Sequence, residues 1–131
     1  KSLTPLENLR WYGSAQGGVS DEELIQALAQ VQLAGYEDTP CYRLSAGQLR
    51  RVALARLVFS RVKLWILDEP FTALDKSGVA QLEARLAAHV QAGGLAVVTS
   101  HQDINVPGLH TLDLQHFPAS VQALGEGVAY G

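Results

Sequence analysis

A short apolar run that ends in two acids and a proline limits the fold of this chain more than any other feature. The run extends from Leu64 to Leu67, and Asp68, Glu69 and Pro70 follow it directly. A run this short, stopped by proline, predicts a strand that is buried on both faces, as in a parallel sheet.

A helix and a second apolar strand follow the first strand. Asp75 is placed to cap the helix, two glycines end it, and residues 95–99 form the second strand, which leads into His101. The helix carries apolar side chains at helical spacing: Val79, Leu82, Leu86 and Val90. Strand, helix and strand in this order predict a βαβ unit with a right-handed crossover. Alternation over residues 109–114 predicts an outer strand.

The first half of the chain is predicted to be helical. Three segments open with capping boxes: Thr4 with Glu7, Ser20 with Glu23, and Ser45 with Gln48. The third helix is expected to reach about Arg61, with one apolar face: Leu49, Val52, Ala53 and Leu57. The pattern divides the chain into a helical subdomain over residues 1–62 and an alternating α/β part over residues 63–131.

Composition excludes several classes of protein. At 131 residues, with 47% hydrophobic and 18% charged residues, the chain has the balance of one globular domain. The net charge is −3, whereas nucleic-acid-binding domains usually carry an excess of basic residues, so no nucleic-acid partner is expected. Cys41 is the single cysteine and cannot form an intrachain disulfide, and no apolar stretch is long enough to cross a membrane.

Asp68 and Glu69 stand where α/β proteins hold their ligands, outside the carboxyl end of a strand. Since neighbouring side chains on a strand diverge, one acid can face Mg²⁺ and the other a reacting water. His101 ends the next strand, and if the strands are neighbours it faces the same crevice as Glu69. These residues alone leave the alternative open, in which all three are solvent-exposed groups at strand ends.

The start of the third helix has two interpretations. Capping alone explains Ser45 and Gln48. A cap does not require Gly47, and a small residue at a helix N-terminus leaves backbone N–H groups open to an anion. Asp75 has an equally plain explanation as an N-cap.

Taken together and in this order, these segments resemble the motifs of ATP-binding-cassette (ABC) ATPases. The matches are the signature motif at Leu44-Ser45-Ala46-Gly47-Gln48, the signature helix at residues 50–56, the Walker B strand at residues 64–68, the catalytic glutamate at Glu69, the D-loop at Ala73-Leu74-Asp75 and the switch histidine at His101. The resemblance implies an α/β fold: part of a P-loop NTPase, namely half of a RecA-like core with parallel strands, plus the ABC α-helical subdomain.

The resemblance implies ATP and Mg²⁺ as cofactors and a second copy of the subunit as a partner. Two nucleotide domains would sandwich two ATP molecules. Ser45, Ala46, Gly47 and Gln48 of one domain would then lie at the γ-phosphate of the nucleotide held by the other, and Asp75 would cross the seam between them.

Within one site the resemblance assigns Mg²⁺ to Asp68 through water, polarisation of the attacking water to Glu69, and a γ-phosphate contact to His101. Hydrolysis would move an integral membrane transporter subunit, with the ATPase on the cytoplasmic face of the bacterial inner membrane. Residues 65–76 and 101–103, with Ala46 where ABC signatures more often have glycine, are most similar to ATP-binding subunits of cytochrome c maturation systems, which are associated with haem export.

The phosphate-binding loop of that family, G-x-x-x-x-G-K-[ST], does not occur in the sequence, and none of the three lysines follows a glycine. We therefore expect a truncated piece of a longer ATPase, cut soon after the glutamine loop. The missing strands would leave a sheet edge and apolar surface uncovered, which favours dimers or strand exchange.

Two other functions compete with a transport ATPase. ABC proteins of DNA maintenance usually carry long coiled-coil insertions; Pro70, the short spacing from Gln48 to Asp68 and the acidic balance argue against that class. A non-catalytic docking module for a membrane partner is the second alternative, which a pull-down without nucleotide would distinguish.

We expect the isolated 131-residue chain not to hydrolyse ATP above background. The reason is that no P-loop cradle or P-loop lysine is available for the β- and γ-phosphates. Phosphate release by the purified chain measures this, and turnover that disappears in Glu69→Gln would contradict it.

Overall fold

The structure, a computed structural model, describes residues 3–114 of the chain. Over that range it has a short 3₁₀ helix, Cys41–Arg43, and six longer elements in this order: α1 (Pro5–Ala15), α2 (Asp21–Gln30), α3 (Ala46–Phe59), β1 (Leu64–Asp68), α4 (Lys76–Gln91) and β2 (Leu95–Thr99). Helices precede a β-α-β unit, so the predicted α/β class is confirmed. None of these helices combines the length and apolar character that crossing a membrane requires.

Each of the four α-helices begins where its capping residue predicts. The side-chain oxygens of Thr4, Ser20, Ser45 and Asp75 accept hydrogen bonds from backbone N–H groups three residues later. At α3 the box is reciprocal, because Oε1 of Gln48 accepts from the N–H of Ser45 at 2.9 Å. A cap of this kind contributes about 0.5–2 kcal/mol and sets the first residue of its helix.

Two apolar clusters hold these elements together, and α3 contributes to both. The first joins α1, α2 and α3 around the fully buried side chains of Leu9, Leu24 and Leu28, with Val52 from α3. The second contains Leu57 of α3 together with residues from the β-α-β unit and its turn: Trp65, Leu67, Phe71, Leu82 and Leu86. Because one helix enters both clusters, the helical part and the β-α-β part pack as neighbours.

β1 and β2 pair in parallel. Leu64 lies opposite Leu95 and Asp68 lies opposite Thr99, with the intervening residues in register. A parallel pair requires a crossover, which α4 supplies. The predicted strand–helix–strand unit is therefore confirmed.

The expectation that both strands are buried on two faces was wrong. Trp65 and Leu67 are buried in the second cluster, but burial alternates along β1. The other face of the sheet, which we call the open face, consists of apolar side chains that are 47–72% exposed: Leu64, Ile66, Leu95 and Val97. One face packs against its cluster with α4, whereas the open face remains accessible.

Two further predictions were wrong. Leu49 and Val90, expected on buried faces, are 43% and 45% exposed, because they lie in the end turns of α3 and α4, outside both clusters. Residues 109–114 form no strand, since alternation does not provide a hydrogen-bonding neighbour and the sheet of the described region has only two strands.

His89, near the end of α4, contacts the residues at the starts of both strands. Its ring stacks on Trp65 with centroids 3.7 Å apart and planes 6° from parallel. Nε2 of His89 lies 2.8 Å from the carbonyl oxygen of Lys63 and 3.2 Å from that of Leu95. A side chain on Gly94 would collide with the His89 ring, so only glycine permits this packing.

We expect the chain to self-associate through the open face and Ile66→Lys to reduce that association. The Ile66 side chain is 72% exposed, so a lysine there charges the apolar face without entering the core. Sedimentation velocity over a range of concentrations measures the effect. Ile25→Lys, at a 41% exposed position on α2, is the matched control, and equal association of the two variants would contradict the expectation.

Candidate functional site

The carboxyl ends of the two strands bring three predicted site residues to one edge of the sheet. Since the strands are parallel and Asp68 lies opposite Thr99, Glu69 and His101 emerge at neighbouring positions. Nε2 of His101 lies 3.1 Å from Oε1 of Glu69. The prediction that these two side chains come together if the strands are neighbours is therefore correct. We call Asp68, Glu69 and His101 the carboxylate–histidine edge.

The two paired side chains differ in exposure. The His101 side chain is 93% exposed, whereas that of Glu69 is 33% exposed. The carboxylate is thus partly fixed by the protein, while the imidazole can also contact a group outside the chain. The carboxylate can accept a proton, and the imidazole beside it can donate a hydrogen bond. Such a pair suits the activation and positioning of a water molecule.

Thr99 organises both acids, and sequence reasoning missed it. Its hydroxyl donates a hydrogen bond to Oδ1 of Asp68 and accepts one from the N–H of Glu69 at 3.0 Å. The Glu69 N–H also lies 3.1 Å from the carbonyl oxygen of Thr99. The signal was present in the sequence as a hydroxyl residue at the end of the second strand, but its importance depends on the strand register.

The backbone turns sharply at Glu69. Its φ of 48° lies in the left-handed region, which is uncommon for a residue with a side chain. The next turn closes with a hydrogen bond from the Thr72 N–H to the Glu69 carbonyl, and Phe71 is buried beneath it. Non-glycine residues in this region concentrate at functional sites, where the surrounding structure holds them. The two acids on either side of this turn have different partners, since Asp68 bonds to Thr99 and Glu69 pairs with His101.

The start of α3 lies against the segment that precedes α4. A β-carbon on Gly47 would sit 2.9 Å from the backbone oxygen of Ala73, which is too close for any other residue without movement. Gly47 is therefore required by packing within the chain, a reason that the sequence alone did not indicate. Ser45 and Ala46 remain exposed beside it.

Asp75 does more than cap α4. Its Oδ1 accepts from the Gly78 N–H at 2.8 Å, which confirms the N-cap, and also pairs with Nη2 of Arg51 at 2.7 Å. The Arg51 side chain is only 12% exposed and also donates to the carbonyl oxygen of Val31. Sequence reasoning missed Arg51, although an arginine beside the apolar face of α3 needs a partner if it is buried. The ion pair ties α3 to the segment before α4.

The donor set at the edge fits a magnesium ion that is shared with a nucleotide. Magnesium in nucleotide sites usually takes one or two carboxylates, with water and phosphate completing its shell. Asp68 is exposed and uses one oxygen for Thr99, which leaves carboxylate capacity at the surface. Across residues 3–114 no group of three or more acidic, histidine or cysteine side chains could hold a metal without other ligands.

Comparison with known families and proteins agrees with this architecture. Residues 1–72 match the family described as ABC transporter. Three similar curated proteins are each called a cytochrome c biogenesis ATP-binding export protein. The one from Saccharophagus degradans is 51% identical over 126 residues (89% of this chain, 56% of that protein). Those from Pseudomonas fluorescens and Vibrio parahaemolyticus are 57% and 58% identical, over 79% of this chain and 49% and 51% of the relatives.

Solved structures show the same fold. A dimeric bacterial ABC transporter cassette superposes with a TM-score of 0.68 at 26% identity, covering 76% of this chain and 47% of that one. A dimeric post-hydrolysis state bound to ADP and phosphate gives a TM-score of 0.67 at 26% identity and the same coverage. The chain spans about half the length of the curated relatives it matches.

We expect Thr99→Val to lower the free energy of unfolding by about 1 kcal/mol, because the Asp68 carboxylate loses a charge-assisted hydrogen bond. Urea denaturation followed by circular dichroism measures the loss. Thr99→Ser keeps the hydroxyl and should remain close to the parent. A loss in Thr99→Ser as large as that in Thr99→Val would contradict the expectation, because serine keeps the hydroxyl.

Proposed function

Because this chain belongs to the ABC transporter family, we propose that it supplies the hydrolytic residues of an ATPase that powers export in cytochrome c biogenesis. The observation that carries the proposal is the 3.1 Å approach of His101 Nε2 to Glu69 Oε1 at the common end of two parallel strands. A nucleotide placed at that edge would have a base, an imidazole and the Asp68 carboxylate within one crevice.

Each residue of the carboxylate–histidine edge has a separate task. Glu69 polarises the attacking water and accepts its proton. His101, paired with Glu69 yet highly exposed, contacts the γ-phosphate and orients the water. Asp68 would hold Mg²⁺ through water, and the bound ion would supply positive charge at the phosphates. Thr99 is a positioning residue, since it keeps Asp68 in place and ties the Glu69 backbone to β2.

A second copy completes the nucleotide site. Residues 45–48 open a capped helix whose first N–H groups suit an anion, and Ser45 and Ala46 are exposed to receive one. We assign this segment to the γ-phosphate of a nucleotide held by the partner copy, and Asp75 to the seam between the copies. The dimeric state of the two similar cassettes supports this assignment.

The names of the relatives favour transport over DNA maintenance. All three are export proteins of cytochrome c biogenesis. We extend this role to the present chain: it acts with an integral membrane transporter subunit at the cytoplasmic face of the inner membrane, in a system associated with haem export. The docking-module alternative predicts that export does not need Glu69.

A chimera tests the catalytic assignment. The chain replaces the matching 126-residue segment of the Saccharophagus degradans relative, so that the remainder of that protein is present. We expect ATP hydrolysis by the chimera, and a fall in kcat of about 100-fold or more in Glu69→Gln, the usual contribution of a positioned base.

Glu22→Gln, at an exposed position in the first turn of α2, is the matched control and should retain the parent rate. His101→Ala should also lose activity while its circular dichroism stays that of the parent. A Glu69→Gln chimera that hydrolyses ATP at the parent rate would overturn the proposal. Export that continues in that variant would favour the docking module.

A further inference from the structure

A cavity of about 360 Å³ lies between α2, α3 and α4, away from the carboxylate–histidine edge. Its lining combines apolar walls with two guanidinium groups: Val31, Leu54, Leu74 and Leu82, with Arg51 and Arg85. Small-molecule sites typically have volumes of about 300–1,000 Å³ and a mostly apolar lining with a few polar groups. We call this space the interhelix cavity. Its size and lining suit a small ligand.

The two arginines of the interhelix cavity differ in counter-charge. Arg51 is neutralised by Asp75 at 2.7 Å. Arg85 donates through Nη2 to the neutral amide oxygen of Gln30 at 2.9 Å. Among the side chains of residues 3–114, no carboxylate lies within ion-pair distance of Arg85. The cavity therefore carries one cation without a described counter-ion.

Arg85 is also poorly solvated. Burial lowers the pKa of its guanidinium below the ordinary value, because water is partly excluded from the charged form. A guanidinium has five N–H donors, and the contact with Gln30 uses one of them. A partly desolvated cation is costly unless it is paired and hydrogen-bonded. An anion in the cavity would offset that cost.

We propose that the interhelix cavity binds a small molecule with one carboxylate and an apolar body, with Arg85 holding the carboxylate. The planar guanidinium matches a carboxylate through two parallel hydrogen bonds. The walls formed by Leu54, Leu74 and Leu82 accept a hydrocarbon chain or an aromatic ring. One cation without a counter-ion among the described residues suits a single negative charge, so a nucleoside triphosphate is a poor fit.

Such a ligand would contact both the helical part and the β-α-β unit. Gln30 lies at the end of α2 in the helical part, and Arg85 lies on α4 in the β-α-β unit. Leu74, which lines the cavity, directly precedes Asp75. A bound carboxylate would replace or share the Gln30 contact and add apolar contacts across the same gap. Binding is thus expected to raise the melting temperature of the chain.

Isothermal titration calorimetry of the 131-residue chain with sodium octanoate tests the proposal. We expect saturable binding in the calorimeter. In NMR spectra of the same titration, the Gly78 amide resonance should shift, since Gly78 lines the cavity. Octanol, which lacks the charge, should bind at least about tenfold more weakly, as expected for loss of hydrogen bonds to a charged group. Arg85→Gln should reduce octanoate affinity by a similar factor, and Arg85→Lys by less, because it keeps the charge but loses the planar fork.

Arg61→Gln, at an exposed position outside the cavity, should bind octanoate like the parent. Ala84→Trp should block binding by filling the cavity. Ile66→Lys changes the open face but not the interhelix cavity, so it should leave the affinity for octanoate unchanged. This variant distinguishes binding in the cavity from binding to the open face. Absence of saturable binding, equal binding of octanol and octanoate, or loss of binding in Ile66→Lys would each overturn the proposal. The octanol comparison uses the parent chain, so the test holds even if an Arg85 variant does not fold.

Discussion

The parallel pairing of β1 with β2 is the constraint on which the rest of the structure depends. The register places Asp68 opposite Thr99, and through Thr99 it positions both acids of the carboxylate–histidine edge. A slip of one residue would exchange the faces of the slipped strand and move its buried side chains to the open face. Stacking of His89 on Trp65 and its contacts with both strand starts oppose such a slip. Fold and site are therefore held by the same ladder of hydrogen bonds.

α3 connects the two regions that we assign to nucleotide chemistry. Its first turn packs against the Ala73 carbonyl through Gly47, and Arg51 pairs with Asp75 one turn further on. Near its C-terminal end, Leu57 enters the cluster beneath β1. A shift of the capped start of α3 relative to the strand ends would have to break the Arg51–Asp75 ion pair or open the cluster. The Arg51 guanidinium, whose side chain is only 12% exposed, would then lose its counter-charge, and a poorly solvated charge without a partner is costly.

Much of the architecture follows from local sequence. Four capping residues located the helix starts, because a side-chain oxygen at the N-cap satisfies a backbone N–H within three residues. The apolar run before Asp68, with the second run before His101, was enough to predict a β-α-β unit, but not that the two strands are direct neighbours. Burial was predicted less well: Leu49 and Val90 obey the helical period, yet within residues 3–114 they stay 43% and 45% exposed. Periodicity identifies a face but not its partner.

The order of motifs from Leu44 to His101 was enough to predict which residues form the site and which family they resemble. Their geometry was not. The bridging role of Thr99 and the left-handed turn at Glu69 exist only once two strands 30 residues apart are in register. The same holds for the counter-charge on Arg51 and for the contact of Arg85 with the neutral Gln30, which depend on segments that meet in space. Local hydrogen bonds are encoded over a few residues, whereas desolvation and ion pairing depend on every segment that packs nearby.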